Sequence, residues 1–490
     1  MSQVTNEQQI QALETYHTNV KKDNSLSVFK KFFEYLIECE AQALALIDYV
    51  KNPDGPPPAI PQKGSIEYGF ILYWIHHPPE AITKWLDKHR ILRSILNALQ
   101  AEAPPTKITL TEYTNLIAKI EAGAVPWDDG TMIGTKKYEQ LDTGWFFAAL
   151  NYGINLVVPS SIADFPNNSI ETSELSRKQG RTGDPVIGIL GDWGTGYYTN
   201  YNGTPSGAKR VMDDMTKHEL DYLLHLGDVY YAGTYLRPLP LEEDVNFLDL
   251  WPDQGTGRNF TLNSNHEMSG DAHGYFDLAL KKDGVFEHQN GMSYFSRTYG
   301  NWLLLGLDSS YYSDKKNGWD KFYMDGAIGT DGYKQQINWL EQFSGHNGPV
   351  MVVTHHNACD LTGANTNILF DQVSAALGRM PSLWYWGHVH NGIVYNKLYM
   401  GDAIPYIPTK GRCCGHASIP FGNGWALEDN SNIAYYAHTR DYQFPESDPR
   451  VKNGYALVTL HKDGGFTEAF YEVDNLNAVY EKTWSPSEVP

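Results

Sequence analysis

Between residues 186 and 390 one pattern recurs: a short apolar run stops, and an aspartate or histidine follows at once or after a single glycine. Val186–Leu190 leads into Gly191-Asp192-Trp193-Gly194, and Tyr222–Leu226 into Gly227-Asp228-Val229-Tyr230-Tyr231. Val350–Thr354 leads into His355-His356, and Leu383–Trp386 into Gly387-His388-Val389-His390. A fifth run, Asn259–Asn263, ends in Ser264-Asn265-His266-Glu267. Runs this short and this apolar read as buried strands. Ala208, Val211, Met212 and Met215 share one helix face, and Gln335–Phe343 reads as a second helix. Further strands are expected at Trp302–Leu307, Tyr455–Leu460 and Phe466–Val473. Strands alternating with helices predict a layered α/β domain, whose ligands gather at the carboxyl ends of the strands. A single strand-end aspartate or histidine is usually a turn former; five such ends in order are not explained that way.

The rest of the chain reads differently. Apolar residues recur at helical spacing in Phe29-Phe32-Phe33-Leu36-Ile37 and in Leu92-Ile95-Leu96-Leu99, with a loop at Pro53–Pro61 between them. Residues 1–180 are therefore expected to be a helical domain of unknown role, 167–183 a linker, and 181–480 the catalytic domain. The longest apolar stretch, Gly144–Pro159, is broken by Asn151 and Asn155 and reads as a core helix rather than a membrane span.

The formal charge is −20, without a long basic run, which disfavours nucleic acid or an anionic membrane surface as a partner. An anionic substrate then needs a local offset, and multivalent cations supply one. The N-terminus has neither a basic nor an apolar signal region, and the four cysteines (Cys39, Cys359, Cys413, Cys414) have no metal-binding spacing, so a cytoplasmic setting with free thiols is expected.

Asp-x-Gly at Asp192, Gly-Asp-x-x-Tyr at Gly227, Asn-His-Glu at Asn265, His355 after its strand and Gly-His-x-His at Gly387 form an ordered series. It resembles the signature of the purple acid phosphatases, a branch of the calcineurin-like metallophosphoesterases. The resemblance implies a layered α/β/β/α sandwich and a hydrolase of phosphate esters with two metal ions. It departs from the family at Ser264, where glycine is usual, and it lacks the further histidines that plant-type relatives carry downstream of Val-x-x-His. Those relatives also place a β-sandwich ahead of the catalytic domain, where this chain reads as helices.

The implied ligands are Asp192, Asp228, Tyr231 and His390 for one metal, M1, and Asp228, Asn265, His355 and His388 for the other, M2, with Asp228 bridging. Most metallophosphoesterases carry histidine two residues after the first aspartate; here Gly194 stands there, and the phenolate of Tyr231 is the replacement donor. An anionic oxygen donor favours Fe(III) at M1, while amide and imidazole donors suit Zn, Mn or Fe(II) at M2. Two such ions about 3.5–4 Å apart acidify the attacking water, neutralise the phosphoryl oxygens and orient the ester. His266 and His356 are the candidate catalytic groups, His266 as proton donor to the leaving oxygen.

The favoured substrate is a small phosphate monoester or nucleotide. A phosphodiesterase using the same metals and a catalytically silent metal-binding scaffold are the alternatives, the latter opposed by the complete ligand set. Other residues take ordinary readings. His225 is expected to fix a loop, Glu267 and His273 are possible supports of the site, and Lys410–His416 reads as a solvated loop that could border it. Tyr435, Tyr436 and His438 are left between pocket rim and surface.

Overall fold

The computed structural model describes residues 125–126, 129–134, 136–139, 142, 162–234, 241–313, 326–399 and 407–490. The helices expected around Phe29–Ile37 and Leu92–Leu99, the loop Pro53–Pro61, the apolar stretch Gly144–Pro159 and Cys39 lie outside the described residues.

Two sheets form the body. In chain order the first elements are β1 (Val125–Pro126), β2 (Met132–Ile133), β3 (Ser173–Glu174), β4 (Val186–Leu190), α1 (Gly207–Met215), β5 (Tyr222–His225), β6 (Asn259–Thr261) and α2 (Asn265–Ser269). There follow β7 (Phe295–Tyr299), β8 (Trp302–Gly306), α3 (Gln335–Glu341), β9 (Val350–Thr354), α4 (Ile368–Leu377), β10 (Leu383–Trp386), β11 (Gly392–Tyr395) and β12 (Lys410–Cys414). The last strands are β13 (Ile433–Tyr436), β14 (Gly454–Leu460), β15 (Phe466–Glu472) and β16 (Tyr480–Trp484). One sheet has the order β16-β15-β14-β4-β5-β6 and the other β13-β11-β12-β10-β9-β8-β7-β3, while β1 and β2 pair separately.

The side-chain period of two explains why the central strands are apolar throughout, since both faces are covered. Ile187, Ile189 and Leu224 of one sheet meet Met351, Val353, Leu383 and Tyr385 of the other in a core between the sheets. Leu190 and Leu223 face the opposite way, against Val211, Met212 and Met215 of α1. Val350, Val352, Trp384 and Trp386 pack on Leu369, Phe370 and Val373 of α4. Each fully buried Val, Leu or Ile contributes roughly 1.5–3 kcal/mol. The result is the expected mixed α/β architecture of two sheets with helices outside. Among the described residues no helix is long and apolar enough to cross a membrane.

Three regions differ from the sequence expectation. Lys410–Cys414, read as a solvated loop, is a strand between β10 and β11 and is almost wholly buried. Its charge is neutralised from afar: Arg412 Nε and Nη2 donate to Glu468 Oε2 and Oε1 at 2.6 and 2.7 Å. The stretch 167–183, read as a linker, lies along the domain, and Ser173–Glu174 pairs in parallel with β7 as an edge strand. The described residues of 125–180 carry strands, and among them Tyr138 and Asp142 contact the loops that follow β4 and β5.

Candidate metal centre

The ends of β4, β5, β9 and β10 converge on one rim, held by backbone hydrogen bonds between loops. Gly191 N donates to Cys414 O at 2.8 Å, Asp192 N to Gly227 O at 3.0 Å and Gly387 N to His355 O at 2.9 Å. Asp192, Asp228 and His388 adopt positive φ of 58°, 79° and 64°. This left-handed region is costly for residues other than glycine and tends to persist where function requires it.

Asp192, Asp228 and His355 bring one ligand atom each to within 4.8 Å of the others, and so do His355, His356 and His388. His390 Nε2 stands 3.4 Å from Asp192 Oδ1. The Asn265 side-chain oxygen lies 2.6 Å from His355 Nε2 and 3.1 Å from His388 Nδ1. Two glycines keep the centre open. A β-carbon at Gly387 would sit 2.8 Å from Asp192 Oδ2, and one at Gly194 would sit 2.6 Å from Asp228 O. The position where related enzymes carry histidine thus has no room for a side chain.

The donor set fits a cation. His355 Nδ1 can only donate to the Leu226 carbonyl, 2.9 Å away, so its Nε2 carries a lone pair. That lone pair faces Asp228 Oδ1 at 3.2 Å and the Asn265 oxygen, and Asp228 Oδ1 is buried without a hydrogen bond. Converging lone pairs repel unless a positive charge lies among them. Burial, together with the neighbouring Asp228 carboxylate, pushes Asp192 well above the usual carboxylate range. Burial also lowers His355 and His390, and lowers His388 to about 3, which keeps these imidazoles in the neutral, metal-binding form.

The two adjacent tyrosines point in different directions. Tyr230 Oη lies 2.9 Å from Asp228 Oδ2, 3.3 Å from Asp192 Oδ1 and 2.9 Å from His390 Nε2. Tyr231, the expected donor to M1, directs its hydroxyl to Asp142 instead and packs on the Tyr138 ring. Tyr230 and Tyr231 lie in a turn and Asp228 before them has a positive φ, so strand alternation does not tell which of the two faces the site.

Of the candidate catalytic groups, His266 is buried with Nε2 3.6 Å from Asp228 Oδ2, its ring centroid 4.1 Å from that of Tyr230. His356 is buried against the His388 ring at 4.6 Å; its Nδ1 meets Ser309 Oγ at 3.0 Å and its Nε2 has no hydrogen-bond partner. Ser264 caps α2, accepting from His266 N at 3.0 Å and donating to Glu267, a capping pair readable from Ser-x-x-Glu. This gives the serine-for-glycine departure a local role. His225 Nδ1 meets Thr261 Oγ1 at 3.2 Å inside the core, and His273 pairs with Asp277.

Residues 185–392 match the family model described as calcineurin-like phosphoesterase. No curated protein matches the chain. The matched family implies metal-dependent hydrolysis of phosphoric esters, its members typically bind two metal ions, and the matched interval contains all of the strand ends just described. The chain thus carries a calcineurin-like phosphoesterase domain at residues 185–392.

Proposed function

We propose that the chain is a two-metal phosphomonoesterase of the purple acid phosphatase type, acting on small phosphate esters or nucleotides. The observation that carries this reading is a phenol, that of Tyr230, in hydrogen-bond contact with two buried carboxylates and a histidine. Asp192, Asp228, His390 and this phenol would hold M1, read as Fe(III), and Asp228, Asn265, His355 and His388 would hold M2, read as Zn, Mn or Fe(II). Tyr230 takes the place that the sequence resemblance gave to Tyr231.

When bound, the two cations neutralise the phosphoryl oxygens and acidify the attacking water. The protein does the rest. Asp228 bridges the two halves of the site, and Asn265 orients between His355 and His388. His266, its ring fixed by the Nδ1–H bond to the Tyr231 carbonyl, passes a proton from Nε2 to the leaving oxygen only once that nitrogen is protonated. His356 Nε2 is available to a phosphoryl oxygen. Nothing in this arrangement needs a second phosphoester substituent.

The test compares p-nitrophenyl phosphate with its bis ester on protein loaded with ferric iron and a divalent metal. Faster turnover of the monoester supports the reading. Preference for the bis ester indicates a phosphodiesterase, and no turnover of either indicates a silent scaffold.

A further inference from the structure

His356 and Ser309 stand just beyond the ends of the neighbouring strands β9 and β8. We propose that Ser309 is a positioning residue: its hydroxyl donates to His356 Nδ1 and so keeps the ring proton on Nε2, the nitrogen offered to the phosphoryl group. This deepens the phosphomonoesterase reading and rests on it.

The strand-end pattern recurs at β8, where Trp302–Leu307 runs into Asp308-Ser309-Ser310. Leu307 N donates to Val353 O at 2.9 Å, so this end runs beside the one that carries His355 and His356. Asp308 holds the turn: its Oδ1 accepts from Ser310 N and Tyr311 N, each at 2.9 Å. Asp308 N and O are in turn clasped by the Gln336 amide, both at 2.8 Å. The His356 backbone is fixed as well, its carbonyl accepting from Thr354 Oγ1 at 2.7 Å. Ser309, Ser310 and His356 are buried, so each of their polar hydrogens needs an acceptor.

The ring proton then has one consistent place. Ser309 Oγ accepts from His356 N at 3.0 Å and lies 3.0 Å from His356 Nδ1. Among the described residues no other group meets this hydroxyl, so its hydrogen goes to Nδ1, which must be the ring's acceptor. A proton on Nδ1, in the neutral ring or the charged one, would leave the serine hydrogen buried without an acceptor. Ser310 is the competing partner of Nδ1, but its Oγ donates to Asn263 O and stands 3.4 Å away, outside the usual range of about 2.7–3.2 Å. Nε2 therefore carries the proton and is a donor. It has no hydrogen-bond partner, and a ring nitrogen of His356 lies within 4.8 Å of ligand atoms of His355 and His388. A phosphoryl oxygen at the centre is an acceptor of the right charge for it.

The experiment uses the full chain loaded with diamagnetic zinc. Long-range proton–nitrogen NMR of isotope-labelled histidine identifies which ring nitrogen is protonated, with His356→Gln to assign the signal. Inorganic phosphate is titrated in parallel as an inhibitor of p-nitrophenyl phosphate turnover. The wild type should show His356 protonated at Nε2. Ser309→Ala removes the hydrogen that opposes the other tautomer, so it should keep its metal, shift the ratio toward Nδ1–H by roughly 10-fold or more and weaken phosphate by a similar factor. Ser309→Thr, which keeps the hydroxyl, should restore most of both. A serine that only packs would alter stability and leave the tautomer and the phosphate affinity where they were, and that result in Ser309→Ala overturns the proposal. A wild type protonated at Nδ1 overturns it as well, and this measurement carries the test if the alanine variant does not fold. A wild type protonated at Nε2 that prefers the bis ester supports the part of Ser309 while overturning the monoesterase reading.

Discussion

His266 Nδ1 donates to the backbone carbonyl of Tyr231 across 2.7 Å. The carbonyl can only accept, so the bond fixes the ring's orientation and leaves Nε2 turned toward Asp228, the side on which a phosphate ester would sit. His266→Ala is expected to lower turnover by about 10²–10⁴-fold, the range for lost general acid catalysis, with metal content kept. The loss should be smaller for p-nitrophenyl phosphate, whose leaving group needs no proton, than for an alkyl phosphate. Steady-state rates on the two esters check this, and equal losses argue for simple phosphate binding.

Gly194 is held between the Asp192 and Asp228 loops: Gly194 N donates to Asp228 O at 3.1 Å and Gly194 O accepts from Tyr230 N at 2.9 Å. A β-carbon there would also come within 2.7 Å of Val229 Cα. Gly194→Ala should therefore destabilise the fold by about 1–3 kcal/mol, as overpacking does, and weaken metal retention. Gly194→His should lose activity rather than supply the histidine ligand of other metallophosphoesterases. Denaturant unfolding and metal analysis measure both, and a stable, active histidine variant would show that the loops yield.

The strands that end in aspartate or histidine were legible because both faces of each are buried, so the apolar runs are unbroken. Val186–Leu190, Val350–Thr354 and Leu383–Trp386 lie where the pattern puts them. What was not legible depends on distant partners. Lys410–Cys414 looks solvated until Glu468, on β15, is seen to neutralise Arg412. Ser173–Glu174 is an edge strand with both residues exposed, so it carries no apolar pattern. Tyr230 and Tyr231 are chemically identical, and the Tyr231 hydroxyl meets Asp142, which lies 89 residues earlier. The separation of sequence from site is greatest there, since residues 136–142 carry no catalytic motif.

The same segment sets a pH dependence. Burial pushes Glu139 from its ordinary 4.5 up to about 7, outweighing the Arg450 guanidinium beside it. An acid raised on folding lends stability that is complete below about 4.5 and is lost as the pH rises through about 7. Glu139→Gln removes this titration and should flatten the stability profile between those values. Melting temperatures of both proteins across pH 4.5–7.5 provide the check, and parallel profiles would mean that Glu139 stays charged throughout.

Asp228 is the side chain on which the account turns, because its carboxylate contacts Tyr230 on one side and His355 on the other. The most direct measurement is metal content together with p-nitrophenyl phosphate turnover, taken on the wild type and on Asp228→Asn, which keeps the shape and removes the charge. The account expects about two ions per wild-type chain, in line with two-metal hydrolytic sites, at least one of them iron, and loss of both metal and turnover in the variant. Wild-type metal content and full turnover in Asp228→Asn would contradict it.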